Sequence, residues 1–130
     1  MKKLLIILGF FAVMMGFAVW EIVATTNFYK ETVSILGEIE SSFTVYADSL
    51  DCEENLETVR KLEKHWESGR RLVLMFGNHT VVRNADERIT ALGEFARQNE
   101  HSDAMVSLRQ AQRYISDLMQ DVYPGATNLL

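Results

Sequence analysis

The chain has 130 residues, 48% of them hydrophobic, with one Pro, one Cys and a formal net charge of -5. Setting aside an apolar N-terminal stretch leaves about 105 residues, enough for one compact domain and not for two. Lys2 and Lys3 precede every acidic residue, so of 13 basic groups only 11 remain to face 18 acids in the rest of the chain. Such a surplus repels phosphate backbones and anionic lipid surfaces and argues against nucleic-acid binding.

From Leu4 to Trp20 there is no charged or strongly polar residue. At ~1.5 Å per residue this stretch spans roughly 26 Å, and continuing through Ile22, Val23 and Ala24 brings it to about 31 Å, the thickness of a bilayer's hydrocarbon core. Trp20 sits where an interfacial aromatic belongs, and Lys2-Lys3 supply the positive flank that stays in the cytoplasm. The expectation is a single-pass anchor over residues 1–26, N-terminus in the cytoplasm, with an extracytoplasmic domain over 27–130. A cleaved signal peptide is the competing reading. Against it stand the length of the apolar run and Glu21, close to the cut that Ile22-Val23-Ala24 would offer.

No strong breaker lies between Trp20 and Asp48, so the membrane helix is expected to continue outward as a stalk. Along it Phe28, Thr32, Ile35, Ile39, Phe43, Tyr46 and Leu50 recur at three- and four-residue steps. Gly37 weakens this stretch by ~1 kcal/mol relative to Ala, a cost that packing can absorb. Asp51 is the expected N-cap of a second helix, with Glu53 and Glu54 in its first turn and Leu56, Val59, Leu62, Trp66, Val73 and Phe76 on one face. Gly77-Asn78 closes it. A third helix is expected from about 84 to 98, with Ala85, Ile89, Leu92 and Ala96 inward. A fourth, capped by Ser102, carries Met105, Leu108, Ala111, Ile115, Leu118 and Val122 and ends at Pro124-Gly125. The fold class expected is therefore all-α. Short connections favour an antiparallel bundle of about four helices, and no tetratricopeptide signature repeats.

Chemistry is hard to find. His65, His79 and His101 include no pair at i, i+3 or i, i+4, so no metal site is expected. No nucleophile motif or phosphate loop stands in a suitable context, and no cofactor is implied. The acidic pairs Glu53-Glu54 and Asp86-Glu87 lie at expected helix starts, which the helix dipole explains. Asn78-His79-Thr80 fits a glycosylation sequon but reads more readily as a turn. Cys52 is alone, a free thiol or a link between two copies. Trp66 and His79 are the residues to weigh as ligand contacts; helical spacing with Leu62 and Val73 favours the core for Trp66. Leu74, Val81 and Phe95 fall off the inner stripes and mark a candidate interaction surface.

Lys2-Lys3 with an apolar span ending in Trp20-Glu21, a helix carrying Trp66, His79 after the second helix and a closing Asn128-Leu129-Leu130 together resemble one bacterial family, catalogued as domain of unknown function four-three-six-three. The resemblance covers nearly the whole chain through sparse motifs. It implies a short membrane-anchored helical protein of spore-forming and related Gram-positive bacteria, and it brings no catalytic residue. Where such proteins often follow the histidine with acidic residues, Thr80-Val81-Val82-Arg83 stands here. The function expected is a non-enzymatic anchored subunit that binds a membrane or envelope protein, with self-association through the stalk or Cys52 compatible. The alternative is an extracytoplasmic bundle that senses a small ligand.

Overall fold

The structure, a computed structural model, describes residues 1–122; Pro124-Gly125 and Asn128-Leu129-Leu130 lie outside the described residues. It holds four α-helices, α1 (Lys2–Val45), α2 (Glu53–Phe76), α3 (His79–Arg97) and α4 (His101–Val122), and no strand among the described residues. α1 is one unbroken helix of 44 residues, as expected where neither Pro nor a paired breaker interrupts the chain. Every residue from Met1 to Trp20 is exposed, whereas burial begins at Thr25. Its N-terminal half is long and apolar enough to cross a membrane, and its C-terminal half is one wall of a helical bundle.

The helices pack in a ring: α1 on α2, α2 on α3, α3 on α4, and α4 back on α1. The cross-helix pairs fix which levels meet. Ser42 bonds Asn55, Glu38 pairs with Lys61, and Thr32 meets His65. On the next face Glu63 receives two hydrogen bonds from Arg97, at 2.9 and 2.8 Å, while Trp66 and Arg70 reach Asp86. Arg88 bonds Gln110, and Gln112 returns to Glu40. The exposed ion pairs are worth about 0–1 kcal/mol each; the core carries the fold. That core takes Ile35, Leu36, Ile39 and Phe43 from α1, Val59, Leu62, Trp66 and Val73 from α2, and the small-and-large run Ala85, Ile89, Leu92, Ala96 from α3. α4 adds Ala104, Leu108, Ala111, Ile115 and Leu118.

Several local expectations are corrected. The N-cap of α2 is Cys52, not Asp51, whose carboxylate instead accepts a hydrogen bond from the Ser49 hydroxyl. α3 begins five residues earlier than the spacing suggested, because the Asn78 side chain accepts from the Thr80 and Val81 amides and caps it. Ser102 lies inside α4, which starts at His101. Asn99, at φ 56°, turns the chain before it, and its side-chain oxygen accepts from the Leu50 amide across the bundle end. Beside it Glu100 and Asp103 share a hydrogen bond that holds the Glu100 carboxyl above its usual range. Tyr46 is exposed, so the stripe of α1 stops at Phe43 and resumes only at the buried Leu50. A β-carbon on Gly37 would meet nothing, so no packing offsets that glycine.

One end of the bundle lies at the level of the apolar segment. The ring of Phe76, the last residue of α2, sits 6.5 Å edge-on from Phe17, which also lies 5.6 Å from Trp20. No stalk separates the bundle from the apolar span.

Candidate functional site

Trp66 is 2% exposed and belongs to the core, its ring centre 5.8 Å from that of Phe28. The indole N–H donates to Asp86 at 3.0 Å, and the other oxygen of Asp86 lies 3.6 Å from Arg70. Its polar edge is therefore satisfied within the chain. His79, the first residue of α3, is exposed. Leu74, Val81 and Phe95 are half-buried and packed against the core's edge rather than free on the surface. The inner stripes of these helices are simply wider than a strict three-four spacing implies. Among exposed large apolar residues of the bundle are Val33, Val45, Met75 and Val106.

The first polar cluster that spacing alone could not find lies between α1 and α2. The His65 ring stacks on Phe28 with centres 4.6 Å apart and planes 17° from parallel. Its Nε2 is 3.0 Å from the Thr32 hydroxyl and 3.3 Å from the Phe28 carbonyl, and its Nδ1 is 3.6 Å from Glu31. The order carboxylate, imidazole, hydroxyl is that of a hydrolase triad, but the surroundings do not support that chemistry. Thr32 is fully buried, and its hydroxyl donates to the Phe28 carbonyl at 2.8 Å, so its oxygen accepts from His65 instead of yielding a proton to it. The cluster is a polar clasp between two helices. Among the described residues no group of three or more His, Cys, Asp or Glu is placed to hold a metal ion.

Gly69 completes the clasp. A β-carbon there would fall 2.0 Å from the Phe28 ring, so α2 can approach α1 at this level only with glycine. Gly69→Ala is expected to lower stability by about 1–3 kcal/mol, the cost of overpacking a filled interface, despite the gain in helix propensity. Chemical denaturation of the full-length variant in detergent checks it; a variant more stable than the parent would show that Phe28 moves aside freely.

The second cluster lies at the end of the bundle nearest the apolar span. There Glu21, Ile22, Thr25 and Tyr29 of α1 meet Phe76 and Gly77 at the end of α2 and Leu118, Asp121 and Val122 at the end of α4, around a cavity of about 200 Å³. Thr25 is 3% exposed and its hydroxyl has no hydrogen-bond partner among the described residues. Burial, reinforced by the Asp121 carboxylate, pushes the Tyr29 phenol up to about 12. Because the folded form holds this proton more tightly, its contribution to stability is complete below pH 10 and is lost as pH rises from about 10 to 12. A difference spectrum of the parent against Tyr29→Phe is expected to show no phenolate absorbance near 295 nm (roughly the usual phenolate band) until above pH 10. Phenolate appearing below pH 10 would mean that Tyr29 is open to water.

Neither cluster was visible in the sequence as a motif. Thr32 and His65 are 33 positions apart, and the cavity draws on three helix ends. The one local hint was the polar step Thr25-Thr26 directly after an apolar run, two β-branched hydroxyls in succession. No family model, curated protein or solved structure matches the chain.

Proposed function

We propose that the chain is a non-enzymatic, single-pass subunit whose extracytoplasmic bundle and membrane helix together bind another membrane or envelope protein. The observation that carries this reading is α1 itself, one helix bare and apolar over Leu4–Trp20 and buried along one face from Thr25 onward. A partner helix seated on the bare half is thereby held in rigid register with the bundle, with no loop between to absorb motion. Gly9 and Gly16, seven residues apart on one face, have open space around them, and small residues so placed let a second backbone approach closely.

The order of the cross-helix pairs supports an up-down antiparallel bundle: along each interface one residue number rises as the other falls, from Ser42–Asn55 to Thr32–His65 and from Glu63–Arg97 to Arg70–Asp86. With Lys2-Lys3 in the cytoplasm the bundle stands on the outer surface. The likeness to the domain-of-unknown-function family belongs to the same proposal and adds no chemistry. The buried clasp at His65 and the hydrogen-bonded indole of Trp66 favour a binding module over an enzyme. Affinity purification of the full-length protein from its native membrane tests the reading. The expected result is a membrane protein recovered in constant ratio, its yield falling when Gly16→Leu fills the bare face. Recovery of the chain alone in several detergents, with Gly16→Leu unchanged, would count against it.

A further inference from the structure

We propose that the cavity at the membrane-proximal end of the bundle binds a primary ammonium group carried on a short apolar stem. Its polar lining is one-sided. Glu21 and Asp121 bring carboxylates, Thr25 and Tyr29 bring hydroxyls, and among the described residues no Lys, Arg or His lines it. Carboxylates accept only, and hydroxyls can always accept, so the group that satisfies all four is a compact N–H donor with positive charge. The Gly77 amide at the wall is already spent on the Val73 carbonyl at 2.7 Å, so it offers an anion nothing.

Thr25 adds an independent observation. A hydroxyl this deeply buried ordinarily has a partner, yet Thr25 has none among the described residues and lines this cavity. The remaining wall, Ile22, Phe76, Leu118 and Val122, is apolar and suits a stem of a few methylenes. A space of about 200 Å³ holds roughly six or seven water-sized groups, which fits an aminoalkyl group. A quaternary ammonium has the charge but no N–H to give, so it binds less well.

Two sources supply this chemistry, an aminophospholipid headgroup at the bilayer surface or a soluble alkylamine. Only the first rests on the membrane-anchor reading. The test is titration of the full-length protein in phosphatidylcholine nanodiscs with butylammonium chloride, following the amide resonances of Thr25 and Gly77, with sodium chloride at equal concentration as the control. The expected result is a saturable shift with butylammonium alone. Affinity is expected to fall about tenfold or more in the double variant Glu21→Gln, Asp121→Asn, the first side chain half-buried and the second exposed, so that their change leaves the core intact. Thr25→Val, nearly isosteric, is expected to weaken binding about threefold.

In discs of phosphatidylethanolamine, resonances already displaced and a weakened response to butylammonium identify the headgroup as the ligand. An undiminished response identifies a soluble amine. Equal shifts with sodium, or unchanged affinity in a double variant that keeps its thermal midpoint, overturn the proposal. A chain that fails to enter discs removes the anchor reading, and the same titration in detergent then decides the cavity by itself.

Discussion

Trp66→Ala is expected to destabilise the bundle by about 3–5 kcal/mol, the range for deleting a large aromatic from a filled core. The indole is 2% exposed, rests against Phe28 at one side and spends its N–H on Asp86. Removing it opens a void between α1, α2 and α3 and leaves Asp86 with Arg70 alone, 3.6 Å away. Trp66→Phe separates the two contributions, because it keeps most of the apolar volume and deletes only the donor; its expected cost is about 1–2 kcal/mol. Denaturation should be followed by amide hydrogen exchange at core positions of α3 and α4, which report the bundle apart from the apolar half of α1. A tryptophan placed to stack on a ligand gives the opposite pattern, near-parental stability in both variants. A loss below about 1 kcal/mol for Trp66→Ala would remove Trp66 from the core and reopen the ligand-sensing alternative.

How much of this was legible follows from where each signal lives. The unbroken α1 and its stripe Phe28, Thr32, Ile35, Ile39, Phe43 are one-dimensional patterns, and the structure buries all five. So are the inner faces Ala85, Ile89, Leu92, Ala96 and Leu108, Ala111, Ile115, Leu118. Helix ends were less legible because one residue can sign two messages. Gly77-Asn78 read as the stop of α2, but Asn78 is equally a start signal, and its side chain begins α3 at His79 through a run of β-branched residues that propensity disfavours. Cys52 took the cap position from Asp51 because Asp51 was engaged by Ser49 in the turn before it.

The exposure expected for Leu74, Val81 and Phe95 gave way because a helix with two neighbours in a ring buries a broader face than one stripe. What no periodicity could carry is the meeting of distant residues. His65 is an unremarkable histidine until Phe28, Thr32 and Glu31 surround it. Thr25 and Tyr29 likewise look like ordinary members of α1 until the ends of α2 and α4 close over them.

Asn55→Ala is the second substitution expected to cost most, about 2–3 kcal/mol, and it acts at the opposite end of the bundle. Asn55 is fully buried and makes three hydrogen bonds. Its oxygen accepts from the Ser42 hydroxyl at 2.6 Å, and its amide donates to the carbonyls of Tyr46 and Ser49 at 3.2 and 3.0 Å. Those carbonyls belong to the chain as it turns from α1 into α2, where they have left one helix ladder and not joined the next. One side chain therefore ties the end of α1, the turn and the start of α2 together, and Leu50 within that turn is itself held by Asn99 of the α3–α4 connection. Alanine leaves all three partners without Asn55, and the corner should loosen as a unit. Asn55→Asp keeps an acceptor for Ser42 but turns a second oxygen toward two carbonyls, so it should match or exceed the cost of alanine at neutral pH and recover part of it in acid, where the protonated carboxyl can donate again. Exchange rates of the Leu50 and Leu56 amides report the corner directly. Faster exchange there, with the Thr25 end unchanged, fits a local clasp; if Asp were tolerated better than Ala at neutral pH, the amide would not be the donor that holds this turn.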